Sequence, residues 1–260
     1  MVRPRNGTKT IASVEKAIKA LEIIAHSESG LTVTEISHAL GGGVSATYHL
    51  LNTLRQNDLI YQEQQTKKYT MGLAIFKLHA LAQKQNTLIS VSQPYLDSLS
   101  RMCGETSNLL MLQDGEAVYV AQSESNHMVK MFTQIGAKVP YYCTGGGKVI
   151  AALRSKEERE ALTKRTEFVP FTKHTIASTE ALLRELDVIR AQGYGYDREE
   201  REEGVICIAA PIFSASAEPI AAMSISGPRY RIEDKGTEKL TEVLLQTTRE
   251  MSARFGYKST

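Results

Sequence analysis

The chain has 260 residues, of which 42% are hydrophobic and 23% charged, and its formal net charge is +2. Because this length exceeds the ~100 to 200 residues of a usual single domain, we expect two domains with separate cores. No apolar run approaches the ~18 residues of a membrane span and the chain starts without an apolar signal core, so the sequence argues against a membrane protein and predicts a cytoplasmic one.

The charged residues are unevenly distributed. Residues 1–80 contain nine Lys and Arg against six Asp and Glu, whereas residues 81–260 contain 22 against 23. A small basic surplus in the N-terminal part permits contact with DNA phosphates without requiring it.

Apolar spacing predicts three helices in the N-terminal part. Helical periodicity runs over Ser13–Ser27. Thr32 and Glu35 have the spacing of a capping box, at the start of a short helix that ends at the glycines 41–43. A third helix over Ser45–Asn57 follows almost at once. Two short helices around a glycine-containing turn are typical of a helix-turn-helix.

Two strands and a further helix come next. Leu59–Glu63 and Lys68–Met71 flank the polar tip 64–67, which predicts the hairpin of a winged helix-turn-helix. Helical spacing resumes over Leu73–Gln85 and ends at a polar break. We therefore predict a DNA-binding domain over residues 1–72, a linker helix over 73–86 and a second domain over 87–260.

The third helix has a polar face that suits DNA. In helix-turn-helix proteins the second helix lies in the major groove, where polar side chains from its first turns meet base edges. The side-chain amide of Asn52 has both a C=O acceptor and an N–H donor, so it can form two hydrogen bonds with one adenine. Three residues on its face and two on the hairpin suit base or phosphate contact: Ser45, Tyr48, His49, Lys67 and Lys68. The alternative is a solvated helix face.

The C-terminal part has strands and helices in separated runs. The predicted elements are a helix Leu88–Met102, strands Asn108–Gln113, Ala117–Gln122 and Met128–Ile135, helices Lys148–Arg154, Glu157–Arg165 and Glu180–Gln192, strands Val205–Phe213 and Ile220–Ser226, and a last helix Glu233–Phe255. Asp114-Gly115 favours a hairpin between the first two strands. This order predicts an α+β fold with an antiparallel sheet covered by helices.

Four ordered stretches carry more specific motifs. They are Leu31–Leu54 with the wing pattern Tyr69–Gly72, Gly136–Pro140 running into Thr144–Lys148, Gly193–Glu200 followed by Gly204–Pro211, and Ser224–Pro228. Together they resemble the IclR family of bacterial regulators over nearly the whole chain. The resemblance implies a winged helix-turn-helix, a GAF-like effector domain, a small-molecule effector, and homodimers or homotetramers that bind double-stranded operator DNA.

Two positions depart from the family pattern. His49 stands where many members have arginine, and the recognition helix begins after Gly42-Gly43-Val44 rather than the more typical Leu-Pro-Lys. The base preference of other members is therefore not transferable to this chain.

The resemblance also implies an effector pocket in the C-terminal domain. The matching motif positions are Met131, Val139, Gly145, Gly146, Asp197, Val205, Cys207, Ser224 and Ser226. A mainly apolar pocket with a few converging polar groups suits a small organic or aromatic acid. The strand pattern agrees, because Ser224 and Ser226 are two residues apart and point to one face. Serine and cysteine in a buried strand otherwise usually fill the core.

The glycines 145–147 open a predicted helix and leave two interpretations. A phosphate-binding loop needs glycine at position 142 and Ser or Thr at 149, where this chain has Tyr142 and Val149, so nucleotide hydrolysis is not expected. Free backbone N–H groups at the helix start can hold a carboxylate or carbonyl. The glycines otherwise serve a tight turn with close backbone packing.

The rival function is a GAF-like small-molecule-processing enzyme fused to a nucleic-acid-binding module. It would need Cys207 as nucleophile with His127 or His174 as base, and nothing in the sequence ties these residues together. Cys103, Cys143 and Cys207 lie far apart, without CxxC spacing, a disulfide framework or a metal-ligand pattern. We expect reduced thiols, no catalytic residue, no metal and no cofactor.

Overall fold

The computed structural model describes residues 10–85 and 87–258. Contacts between residues divide the chain into two compact units, residues 1–86 and 87–260. None of the helices in the described ranges is long and apolar enough to cross a membrane.

The N-terminal unit contains, within residues 10–85, four helices and one hairpin. They are α1 (Ala12–Ala25), α2 (Val33–Ala39), α3 (Val44–Gln56), β1 (Ile60–Gln62), β2 (Tyr69–Met71) and α4 (Ala74–Gln85). The predicted capping box starts α2: the backbone N–H of Glu35 donates to Oγ1 of Thr32, and that of Thr32 donates to the Glu35 carboxylate. The helices enclose a core that includes Ile24, Ile36 and Leu51.

The hairpin is held against this helical core. Tyr61 of β1 lies opposite Thr70 of β2, and Ile60 and Tyr69 bury their side chains among the residues of α1 to α3. The helix-turn-helix predicted from the sequence is thereby confirmed. Helix α4 occupies the range predicted for the linker helix, and its role as a linker stays a prediction.

The C-terminal unit is built on a sheet that has six strands within residues 87–258. The strands are β3 (Thr106–Gln113), β4 (Glu116–Ser123), β5 (Lys138–Pro140), β6 (Gly195–Arg198), β7 (Val205–Phe213) and β8 (Pro219–Pro228). Their order is β5-β4-β3-β8-β7-β6, with every neighbouring pair antiparallel. The helices are α5 (Thr87–Cys103), α6 (Gly145–Ala152), α7 (Lys156–Lys164), α8 (Thr179–Gln192), α9 (Arg229–Asp234) and α10 (Thr237–Arg254).

Different helices cover the two faces of the sheet. Ile208 and Ile225 pack in one core with residues of α5 and α10, whereas Ala209 and Ala222 pack with residues of α6 and α8. Alternate residues of a strand point to opposite faces, so each long strand contributes to both cores. The predicted α+β fold is confirmed.

Two predicted elements are wrong. Residues Met128–Ile135 form no strand, because this segment leaves the sheet and exposes Met128, Val129 and Phe132, and the edge position goes to β5 instead. The last helix is not continuous over Glu233–Phe255. It breaks at Gly236, whose φ of 84° lies outside the helical region, so α9 and α10 are separate.

Candidate functional sites

Helix α3 presents the polar face expected of a recognition helix. Thr47, Leu51 and Leu54 are buried against the other helices, while Ser45, Tyr48 and His49 are exposed and Asn52 is half-buried. The rings of Tyr48 and His49 meet edge to face, with centroids 6.1 Å apart. The α-helical period thus separates a core stripe from an accessible polar stripe on one short helix.

A chain of hydrogen bonds joins this polar face to the hairpin. Nη2 of Arg55 donates to Oδ1 of Asn52 at 2.9 Å, and Nη1 donates to Oε1 of Gln62 on β1 at 3.3 Å. Nε2 of Gln62 donates to the carbonyl oxygen of Lys67 at 3.1 Å. Lys67 is exposed at the tip and Lys68 is half-buried. Arg55 was not among the predicted DNA-contacting residues, although an arginine one turn after Asn52 was a signal for it.

A cleft of about 560 Å³ opens on the face of the sheet that α6 covers in part. Three of the predicted effector residues line it, namely Met131, Val139 and Val205. Tyr119, Thr133 and Arg201 are further lining residues. The segment that follows β4 forms one wall and the loop between β6 and β7 forms the other.

Three other predicted residues form a row beneath this cleft. Asp197 of β6 pairs with Cys207 of β7, which pairs with Ser226 of β8. All three side chains are buried, as is Ser224 two residues earlier on β8. The register therefore places polar groups of three neighbouring strands side by side on one sheet face.

A buried polar chain links this row to the cleft wall. Nδ2 of Asn108 donates to Oγ of Ser226 at 3.2 Å, and Oγ1 of Thr133 donates to Oδ1 of Asn108 at 2.8 Å. Thr133 also bonds Gln122. Asn108 and Thr133 were not among the predicted effector residues, since only the register of β3 against β8 brings Asn108 beside the two serines.

The glycines at the start of α6 pack directly on the sheet. A Cβ on Gly145 would lie 3.3 Å from Cβ of Ala209, one on Gly146 would lie 3.0 Å from the Leu110 side chain, and one on Gly147 would lie 2.6 Å from the Tyr141 backbone. Gly145 and Gly146 are buried and do not line the cleft. Close packing therefore accounts for the glycine run, and the N–H of Gly147 is capped by Thr144.

A buried charge cluster lies behind Asp197. Lys148 of α6 is fully buried, and its Nζ donates to both carboxylate oxygens of Glu200, at 2.5 and 2.7 Å, and to Glu185 at 3.4 Å. Burial, and next the charge of Glu200, raise the pKa of Asp197 to about 7. The backbone N–H of Glu200 donates to the Asp197 carboxylate at 2.7 Å.

The geometry gives no support to cysteine chemistry at this site. Burial raises the pKa of Cys143 to about 12, and burial also raises the pKa of Cys207, so both are neutral thiols at neutral pH. His127 and His174 are exposed, and His174 borders a different groove beside Arg229. Within residues 10–85 and 87–258, no three His, Cys, Asp or Glu residues are grouped to hold a metal ion.

Comparison with known proteins identifies the family to which both units belong. The IclR helix-turn-helix model matches residues 13–64, and the model for the C-terminal domain of bacterial IclR transcriptional regulators matches residues 80–253. The transcriptional regulator KdgR of Escherichia coli is 35% identical over 248 residues, which are 95% of this chain and 94% of KdgR. The transcriptional repressor AllR of the same species is 31% identical over 251 residues, 96% of this chain and 93% of AllR.

Solved structures have folds similar to that of this chain. The crystal structure of Thermotoga maritima IclR is similar with a TM-score of 0.84 and 29% identity, over 95% of this chain and 99% of that one. The C-terminal domain of Escherichia coli KdgR has a TM-score of 0.60 and 38% identity over 65% of this chain and 99% of that domain. This chain therefore belongs to the IclR family and is a DNA-binding transcriptional regulator with a C-terminal effector-binding domain.

Proposed function

We propose that α3 and the hairpin bind operator DNA through the residues selected from the sequence. These are Ser45, Tyr48, His49 and Asn52 on the helix, with Lys67 and Lys68 on the hairpin. The observation that supports this proposal is the chain of hydrogen bonds from Asn52 through Arg55 and Gln62 to Lys67, because it fixes the helix and the hairpin relative to each other before DNA arrives.

We propose further that the protein works as a homodimer or homotetramer. Helix α1 and the residue before it expose Ile11, Val14 and Ile18 along one stripe, and α4 exposes Phe76 and Leu81. Apolar stripes of this kind favour association between copies. One three-helix head offers little base contact, and a pair of heads doubles the DNA site.

Selection of fragments of genomic DNA that bind the protein tests whether two DNA-binding domains bind one operator as a pair. We expect near-palindromic sites whose half-site centres lie about 34 Å apart, or a multiple of that distance. Sites without any repeated half-site, together with a particle of the 28.7 kDa monomer mass in light scattering, would contradict the proposal. The functions of the genes beside the selected sites indicate which compounds are candidate effectors.

Asn52→Ala tests direct base recognition. We expect a loss of about 1 to 3 kcal/mol in binding, confined to one operator position, because the amide group that pairs with one base is removed. Gel-shift titrations against single-base operator variants measure the profile. Asn57→Ala, at the far end of α3 where the side chain bonds the Thr53 carbonyl, is the control. An Asn52→Ala profile like that of the control would remove Asn52 from base recognition.

We propose that the effector is a small organic or aromatic acid bound at the cleft of the C-terminal unit. Met131, Val139 and Val205 would contact it, and the remaining predicted residues would lie behind this lining and shape the site, namely Gly145, Gly146, Asp197, Cys207, Ser224 and Ser226. The lining combines apolar and aromatic side chains with polar and charged ones, among them the cations Lys130 and Arg201, and this combination supports a ligand with an apolar body and an acid group. Effector and operator would be coupled through two states that the ligand binds unequally.

We propose that the chain acts by binding alone, without catalysis, and that it works in the bacterial cytoplasm, where its operator DNA lies. The support for the first point is that the buried thiols in the site have raised pKa values and no histidine base beside them. A candidate acid should therefore stabilise the protein against heat without being consumed.

A further inference from the structure

Arg201 is a half-buried cation that lines the cleft. Its guanidinium lies over the ring of Phe171, with Cζ 4.0 Å from the ring centroid. Among the residues that the structure describes, no carboxylate forms a salt bridge with it. The other cation on the cleft, Lys130, is paired with Glu124 at 2.5 Å, and Glu202 and Glu203 also line the cleft without an ion pair to Arg201.

The guanidinium of Arg201, which forms no salt bridge with any residue that the structure describes, is available to bind an anion in the cleft. Stacking on an aromatic ring leaves the edge of the guanidinium plane, with its N–H donors, free for bonding. Partial removal from water without an acidic partner costs free energy that an incoming carboxylate recovers. Burial raises the pKa of Cys143 inside the site, and the positive charge of Arg201 lowers that pKa by a smaller amount.

Hydrogen bonds from neighbouring side chains hold the loop that carries Arg201 in place. The Asp197 carboxylate accepts the backbone N–H of Glu200, the residue before Arg201, and Lys148 holds the Glu200 side chain. Two threonines bond the loop carbonyls at 2.6 Å each: Oγ1 of Thr172 donates to Glu199 and Oγ1 of Thr175 donates to Glu200. The backbone of Arg201 is therefore positioned before any ligand binds, which lowers the entropy lost on binding.

We propose that Arg201 binds the carboxylate of the effector, so that the acid group lies at the loop wall of the cleft and the apolar body lies against Val139 and Val205. This inference rests on the proposed effector class. It assigns acid recognition to a side chain outside the row of Asp197, Cys207 and Ser226, and it makes Arg201 a specificity-determining residue.

The test compares acids with their neutral amides. Pyruvate, gluconate and benzoate, each beside pyruvamide, gluconamide or benzamide, are titrated calorimetrically into the full-length wild type and into Arg201→Gln and Arg201→Lys variants. Arg198→Gln is a matched control, because Arg198 also stacks on an aromatic ring at 4.0 Å, that of Tyr196, but borders a different groove. Equal operator binding without acid shows that each variant is folded.

We expect the wild type to bind at least one acid more tightly than its amide. Arg201→Gln should bind that acid about 10- to 100-fold more weakly and lose the preference over the amide, Arg201→Lys should lie between, and Arg198→Gln should match the wild type. Equal acid affinity in Arg201→Gln and the wild type would overturn the role of Arg201 and leave the effector class standing. A wild type that binds amides but none of the acids would overturn the effector class, and this inference with it.

Discussion

Lys148→Met should lower the free energy of unfolding of the C-terminal unit by about 3 to 5 kcal/mol at neutral pH. Methionine keeps much of the length of the side chain, but it leaves Glu200 buried without the cation that bonds both of its carboxylate oxygens. Lys148 also reaches Glu185 on α8, so the link between α6, α8 and the loop of Arg201 is lost. Urea unfolding followed by circular dichroism measures the change.

A surface ion pair supplies the matched control for Lys148→Met. Lys138 and Glu116 lie 3.4 Å apart, with both side chains about half exposed, and Lys138→Met should cost ~0 to 1 kcal/mol. The double variant Lys148→Met/Glu200→Gln should regain most of the loss, because replacing both members of a buried pair is often nearly neutral. If Lys148→Met costs no more than Lys138→Met, the buried pair does not stabilise the fold.

Asp197→Asn should change how stability depends on pH. The pKa of Asp197 is raised from 3.8 to about 7 by burial and by the charge of Glu200. Between these two values the folded protein holds a proton that the unfolded chain has lost, so the wild type loses stability as pH rises and the loss is complete above pH 7. The variant cannot ionise, so from about pH 5 to about pH 8 it should gain up to about 3 kcal/mol on the wild type.

Unfolding of both proteins in urea at the two pH values measures this gain. Asparagine retains an oxygen that accepts the backbone N–H of Glu200, so the loop should keep its structure. Asp187→Asn, which removes an exposed carboxylate paired with Arg159, is the control and should show no comparable gain. A constant difference between Asp197→Asn and the wild type at both pH values would mean that Asp197 ionises at its ordinary pKa in the folded protein.

The sequence by itself determined the elements whose causes are local. The capping box of Thr32 and Glu35 starts α2 as predicted, and strand β7 occupies the predicted range Val205–Phe213. Both signals depend on neighbouring residues, namely a side chain that bonds a backbone group three residues away and an apolar run of β-forming residues. The motifs that identified the family are likewise continuous stretches.

The tertiary structure alone decided which distant groups meet. Lys148 and Glu200 are 52 positions apart, and Arg201 stacks on Phe171 from another loop. The apolar segment Met128–Ile135 has strand-like composition, but the sheet edge is taken by β5, and the segment is tied instead by side-chain bonds such as that of Thr133 to Asn108. Pairing of this kind depends on register and loop placement. Because long-range contacts have no local periodicity, Asp197 was predicted from a continuous motif, whereas Arg201, on the loop that Asp197 organises, was not.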